Sequence, residues 1–93
     1  MINFTRKTPI ELNREIAKNI TAIRKRRKIS QKELSVISGV SLGSIKRFEQ
    51  EGEISLISLS KIAIALSVSD ELENLWTDVA YNSIEEVINE QSK

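Results

Sequence analysis

The chain has 93 residues, which is enough for one small domain, and its 40% hydrophobic and 29% charged residues with a net charge of +1 are ordinary for a soluble globular protein. It contains neither cysteine nor histidine, which excludes disulfides, thiolate metal sites and most nucleophile–base pairs. We therefore expect a protein that is not an enzyme and that uses no metal and no cofactor.

The first ten residues, MINFTRKTPI, lack the apolar segment of a signal peptide, and the longest unbroken aliphatic run is Ile62 to Leu66. We therefore expect no signal peptide, no membrane span and a cytoplasmic location. Met1 to Lys7 is expected to be a flexible arm.

A first helix is predicted to begin after Thr8, which forms a capping box with Glu11, and Pro9 suits the first helical position. The apolar residues that follow recur at intervals of three or four and predict one buried stripe. They are Leu12, Ile16, Ile20 and Ile23. The basic run Arg24 to Lys28 is predicted to close this helix.

Two short helices are predicted next, with a tight turn between them. Ser30 and Glu33 form a second capping box, Gly39 is a natural left-handed helix end, and Ser41 caps the following helix. Inward-facing apolar residues are Leu34 and Ile37 in the first of these helices and Ile45 and Phe48 in the second. The outer surface of the second is predicted to carry Leu42, Gly43, Lys46, Arg47 and Gln50.

A fourth helix is predicted over about Ser55 to Leu66 and a fifth from near Ser69, followed by an amphipathic stretch from Ser83. The predicted core stripe of the fourth helix is Leu56, Leu59, Ile62, Ala63 and Leu66. Ile57 and Ile64 lie seven residues apart on another side, which indicates either a second buried surface or cover by a later helix. No segment alternates over strand length, so the predicted fold is all-α.

The charges divide along the chain. Met1 to Arg47 holds 12 Lys/Arg against 3 Asp/Glu, a balance of +9, whereas Phe48 to Lys93 holds 2 against 10, a balance of −8. A basic first half favours an anionic partner. The alternative is that the two halves attract each other or a second subunit.

With these residues in place, Ile20 to about Trp76 resembles the Cro/C1-type helix-turn-helix family, the XRE-like regulators with the lambda-repressor-like fold. The matching residues are Ile20, Ile23, Arg24, Ser30, Gln31, Leu34, Gly39, Val40, Ser41, Ile45, Glu49, Leu59, Ile62, Ala63, Leu66 and Val68. The resemblance implies a bundle of about five helices with a short extra C-terminal helix. Its domains would be an arm at 1–7, a DNA-binding domain at 8–76 and a helical extension at 77–93.

The resemblance also implies roles for single residues. Gln31 would contact a DNA phosphate and brace the recognition helix, and the Ser41 hydroxyl would reach a phosphate. Base edges would be read at Leu42, Gly43 and Arg47, with Lys46 beside them. Arg24 and Glu49 match a pair that forms a structural salt bridge.

Further phosphate contacts are expected from Lys25, Arg26 and Ser44, although a solvated helix end explains the two basic residues equally well. Two departures from the family pattern bear on the DNA. Leu42 and Gly43 replace polar residues, so base readout would rest on Arg47 and Lys46. The loop from Gln50 to Glu53 is longer and more acidic than usual, so it is not expected to anchor phosphate.

The predicted function is a DNA-binding transcriptional regulator, a repressor that binds a pseudo-palindromic operator in double-stranded DNA as a homodimer. The alternative is an antitoxin-like module that neutralises a HipA-type toxin and regulates its own operon. Either partner, a second copy or a toxin, would use a set of apolar residues on the acidic half. These are Ile57, Ile64, Trp76, Ile84, Val87 and Ile88.

Overall fold

The computed structural model describes residues 6–78, and these contain five α-helices and no strand. The helices are α1 (Pro9–Arg26), α2 (Gln31–Ser38), α3 (Leu42–Glu51), α4 (Leu56–Ala65) and α5 (Ser69–Glu73). The predicted all-α fold, a small lambda-repressor-like bundle, is therefore confirmed. The predicted amphipathic stretch from Ser83, with Ile84, Val87 and Ile88, lies outside the described residues, as does most of the arm.

Side-chain caps fix where the helices begin. The Glu11 and Glu33 amides donate to the Thr8 and Ser30 hydroxyls at 3.2 and 3.0 Å, and each carboxylate accepts in return from the backbone amide of its cap residue. Ser55 caps α4 through the amide of Ser58 at 3.2 Å. These bonds satisfy backbone donors that a helix start otherwise leaves unpaired.

Two glycines fix where the middle helices end. Gly39 follows α2 with φ 77° and Gly52 follows α3 with φ 79°, a left-handed conformation that glycine adopts without steric cost. Gly52 is also buried against α1, because a Cβ placed on it would lie 2.8 Å from the carbonyl carbon of Asn13. Glycine at 52 therefore lets the end of α3 touch the backbone of α1.

The core forms where α3 meets α1 and α2, and where α2 meets α4. Its fully buried large side chains are Leu34, Ile45, Phe48, Ile62 and Leu66. Val40 and Ala17 complete the cluster, with Ile20 and Ile23 half-buried against it. Burial of one such side chain is worth about 1.5–3 kcal/mol. The core therefore fixes the position of α3 relative to α1 and α2.

Several predicted core positions are exposed. Leu12 and Ile16 in α1, Ile37 in α2 and Leu56 in α4 all lie at the surface, so the prediction that they are buried was wrong. Periodicity identifies an apolar side of a helix but not how far along the helix its neighbours extend. Ile16 and Leu56 instead line a shallow groove whose floor includes Phe48 and Gly52. Among residues 6–78, no helix is long and apolar enough to cross a membrane.

Candidate nucleic-acid interface

The turn between α2 and α3 is held by its own hydrogen bonds. The Gly39 amide donates to the Ser35 carbonyl at 3.0 Å, and the Ser35 hydroxyl donates to the Val40 carbonyl at 2.7 Å. The Val40 side chain is buried between the helices. A helix, a three-residue turn and a second helix are the elements of a helix-turn-helix, in which the second helix enters the DNA major groove.

A buried network ties α1, α2 and α3 together at one end of this motif. Arg24 donates to Glu49 through Nε at 2.7 Å and NH2 at 2.9 Å, and its NH1 donates to the Ile29 carbonyl at 2.8 Å. The Gln31 Nε2 donates to Oε1 of the same carboxylate at 3.0 Å. Gln31 thus braces α3 through Glu49, and its amide keeps a second N–H that can reach outward.

The environment of Glu49 keeps this carboxylate charged. Burial by itself raises its pKa, but the hydrogen bonds from Arg24 and Gln31 and the nearby guanidinium charge outweigh burial, so the pKa lies below its ordinary value. Such a bidentate, charge-assisted pair has one preferred geometry. The network therefore holds the orientation of α3 relative to the end of α1.

The end of α1 is strongly basic and exposed. Arg24 turns inward to Glu49, whereas Lys25, Arg26, Arg27 and Lys28 all lie on the surface. The helix ends at Arg26 and the chain then turns through Lys28, which has φ 58°. Four exposed cations within four residues make this turn a strong local source of positive potential.

The outer face of α3 carries the predicted base-contact residues. Gly43, Lys46 and Arg47 are exposed and Leu42 is half-buried, so all four share one side of the helix. A Cβ on Gly43 would meet no atom of the protein within 4 Å. No packing contact within residues 6–78 therefore requires glycine at position 43, although glycine weakens a helix by about 0.5–1 kcal/mol relative to alanine.

Ser41 and Ser44 form a pair at the start of α3. The Ser41 hydroxyl accepts from the Ser44 amide at 3.1 Å and donates to the Ser44 hydroxyl at 2.8 Å. Because Ser41 is occupied by capping, the Ser44 hydroxyl is the better placed of the two to donate to an anion. Both serines are exposed.

Arg47 is held by the loop that follows α3. Its Nε and NH2 lie 2.7 and 2.6 Å from Oε2 of Glu53, and its Nε lies 3.3 Å from Oε2 of Glu51. The pKa of Arg47 lies above its ordinary value, because the guanidinium donates a hydrogen bond to Glu53 and is close to the negative charges of Glu53 and Glu51. This cluster was not predicted from the sequence. Only Glu51, one helical turn after Arg47, was readable from spacing.

The predicted partner-contact residues that the structure describes are at the surface. Ile57 and Ile64 are 67% and 66% exposed on one side of α4, and Trp76 is 75% exposed after α5. The remaining three, Ile84, Val87 and Ile88, lie outside the described residues. An apolar surface of this kind is typical of protein–protein contacts.

A comparison with protein families agrees with this geometry. The family model described as helix-turn-helix matches residues 20–72, which include α2, α3 and α4 entirely. No significant match was found among curated proteins or among solved structures. The matched segment covers more than half of the chain and contains the turn, the buried network and the basic end of α1. The protein therefore belongs to the Cro/C1-type helix-turn-helix family of DNA-binding transcriptional regulators.

Proposed function

We propose that the protein is a sequence-specific repressor that binds a pseudo-palindromic operator as a homodimer, with α3 in the major groove of each half-site. Half-sites would lie about one helical turn, or 34 Å, apart. The observation that carries this proposal is the Arg24–Gln31–Glu49 network. The network fixes the orientation of α3 while the outer face of that helix stays exposed. A recognition helix that contacts base edges requires this arrangement.

Phosphate contacts in this proposal flank α3 on two sides. Lys25 and Arg26 at the end of α1 supply positive charge, and Ser44 supplies a hydroxyl group at the start of α3. The Ser41 hydroxyl would join it by donating to a phosphate in place of Ser44. The second N–H of Gln31 adds one further donor. Contacts of this kind set the register of the protein on the duplex and make binding salt-dependent, but carry no sequence information.

Base readout is assigned to the side chains on the exposed face of α3. An arginine can donate two hydrogen bonds to O6 and N7 of guanine, so Arg47 is the main candidate, with Lys46 beside it. Leu42 offers an apolar contact to a thymine methyl. Gly43 leaves space for the groove wall to approach the helix.

Dimerisation is assigned to the apolar side of α4. The two exposed isoleucines, Ile57 and Ile64, are seven residues apart and project from the same side of the helix. A twofold axis beside them would place both α3 helices on one face of the duplex, because a pseudo-palindrome mirrors the symmetry of its dimer. Trp76 and the residues predicted at 84, 87 and 88 would extend the same contact. A regulator of this kind would act on a promoter in the cytoplasm, as a binding protein and not an enzyme.

A second candidate function uses the same exposed surface for a different protein. In this alternative the apolar side of α4 and Trp76 dock a toxin of the HipA type, and DNA binding regulates the shared operon. The observation that favours it is the exposure of Trp76, since tryptophan is enriched at the centres of protein interfaces. A protein that is monomeric both free and on DNA would favour this alternative over the homodimer.

The assignment of Arg47 to base reading is tested by titrating two duplexes of equal length, the best sequence selected from a random pool and an unrelated one. Arg47→Ala is expected to weaken binding to the selected duplex by about 1–3 kcal/mol and binding to the unrelated duplex by less. Lys61→Ala, a loss of one exposed cation on α4, is the matched control. Equal losses on both duplexes would overturn the assignment.

A further inference from the structure

The acidic residues that follow α3 and the cation on its outer face form one cluster. Oε2 of Glu53 accepts a hydrogen bond from Nε of Arg47 at 2.7 Å and lies 2.6 Å from NH2, and Oε2 of Glu51 lies 3.3 Å from the same Nε. The two carboxylates therefore occupy the Nε edge of the guanidinium. Its other edge, formed by NH1 and NH2, is the one that a guanine would require.

The position of both carboxylates is set by the fold. Gly52 lies between them, is buried, and has φ 79°. A Cβ on it would lie 2.8 and 2.9 Å from the backbone carbonyl carbon of Asn13 and the nitrogen of Arg14. Its amide donates to the Phe48 carbonyl at 2.7 Å. Because Gly52 is packed against α1, the backbone on both sides of it is held in place. Glu51 and Glu53 therefore lie at fixed positions beside the outer face of α3.

We propose that Glu53, supported by Glu51, is a positioning residue for Arg47 that determines specificity. This inference rests on the proposed sequence-specific function. Glu53 holds the Nε edge so that the NH1/NH2 edge faces outward for a base. It also keeps the guanidinium from turning to a nearby phosphate.

The charges of Arg47, Glu51 and Glu53 explain why this arrangement would favour binding to the specific sequence over unrelated DNA. Arg47 with Glu51 and Glu53 has a formal charge of −1, so the end of α3 gains nothing from phosphates alone. Glu53 directs the free NH1/NH2 edge toward the bases, so on an unrelated duplex Arg47 would have to leave Glu53 to turn this edge to a phosphate, and two carboxylates would face the backbone. On the correct base, Arg47 keeps its partner and adds two hydrogen bonds.

The strength of the pair suits this role. All three side chains are more than half exposed, and exposed ion pairs are weak. Such a pair biases the orientation of a side chain without preventing its adjustment to a base. Raised salt screens the pair and the phosphates alike, so the dependence of affinity on salt reports how many cations engage phosphate.

Anisotropy titrations of the selected and unrelated duplexes, between about 50 and 200 mM salt, test the inference with Glu53→Gln. Freeing Arg47 for one more phosphate contact should steepen the log–log salt slope on unrelated DNA by about 0.9. Over this fourfold salt range, one added phosphate contact changes the affinity of the variant for unrelated DNA, relative to that of wild type, about threefold. We therefore expect tighter binding to unrelated DNA at low salt and at least a threefold fall in the preference for the selected duplex.

Two further variants separate positioning from general repulsion. Glu73→Gln removes an exposed carboxylate on α5 and should leave the preference and the slope unchanged. In an Arg47→Ala background, Glu53→Gln should no longer alter the preference. An unchanged preference in Glu53→Gln alone, or the same change with and without Arg47, would overturn the inference. A wild-type protein that does not distinguish the two duplexes would instead overturn the proposed function, and the inference with it.

Discussion

Arg24 and Glu49, 25 residues apart in the chain, form a bidentate ion pair in which the two side chains are only 9% and 7% exposed. The pair joins the end of α1 to the last turn of α3, and Gln31, at the first position of α2, donates to the same carboxylate at 3.0 Å. Three helices thus meet at one carboxylate. The orientation of α3, the proposed recognition helix, therefore depends on Glu49, which is not one of the proposed base-contact residues.

We predict that Glu49→Ala lowers the free energy of unfolding by about 3–5 kcal/mol, because it leaves the Arg24 guanidinium buried without its carboxylate. Urea denaturation followed by circular dichroism measures this change. Glu15→Ala is the matched control, since Glu15 forms an ion pair with Lys7 at the surface, and its loss should cost less than about 1 kcal/mol. A Glu49→Ala protein as stable as the Glu15→Ala protein would show that the buried pair does not hold the fold.

The same carboxylate makes stability depend on pH. Glu49 has a pKa below its model-compound value of 4.5, and hydrogen bonds within the capping boxes likewise lower the pKa of Glu11 and Glu33. A lowered folded-state pKa contributes stability that is present above the unfolded-state pKa and is lost as pH falls through the folded-state value. Thermal melts from pH 7 to pH 3 should therefore show a falling melting temperature that begins near pH 4.5.

Glu49→Gln should remove part of this pH dependence while leaving the contribution of the two capping boxes. The difference in melting temperature between wild type and variant should be largest at neutral pH and shrink toward pH 3. A wild-type melting temperature that stays constant or rises on acidification below pH 4.5 would contradict this account.

We predict opposite effects for alanine at two glycines of the recognition region. Gly43→Ala should raise the free energy of unfolding by about 0.5–1 kcal/mol, because the site has helical backbone and open space. It should weaken DNA binding if the groove wall approaches this helix. Gly52→Ala should destabilise by at least about 2 kcal/mol, since it adds a Cβ against α1 at positive φ. Denaturation and DNA titration of both variants provide the measurement. A destabilised Gly43→Ala protein, or one that binds DNA as wild type does, would refute the role given to Gly43.

We predict that Ile64→Glu converts a dimer into a monomer, because it places a charge in the centre of the proposed α4 contact. Light scattering coupled to size-exclusion chromatography gives the mass directly. Val36→Glu is the control, since Val36 is an exposed apolar residue on α2 that is not part of the proposed α4 contact. A wild-type-like mass for Ile64→Glu would show that dimerisation uses another surface.

The beginnings and ends of the helices were predictable because they depend on neighbours in the chain. The capping boxes at Thr8 and Ser30 and the left-handed end at Gly39 are local signals, and the structure contains all three. The family resemblance over Ile20 to about Trp76 agrees with the match over residues 20–72.

Features that depend on distant parts of the chain were not predictable from spacing, although the family resemblance implied the Arg24–Glu49 pair. Leu12 and Leu56 have core-like spacing but are exposed, because spacing does not say where a packing neighbour ends. The ion pair between Glu53 and Arg47 requires a loop that reverses direction at Gly52, where it packs against α1. No sequence period or motif predicts that contact. Arg47 was therefore expected to be a free cation on the outer face of α3, whereas in the structure it belongs to an ion-pair cluster.

The central claim, that α3 of a dimer reads sequence, is tested most directly by selection from a random duplex pool at about 150 mM salt, where phosphate-only binding is weakened. We expect enrichment of a pseudo-palindrome whose half-sites are centred about 34 Å apart. Binding without enrichment, or enrichment of a single unrepeated half-site, would contradict it.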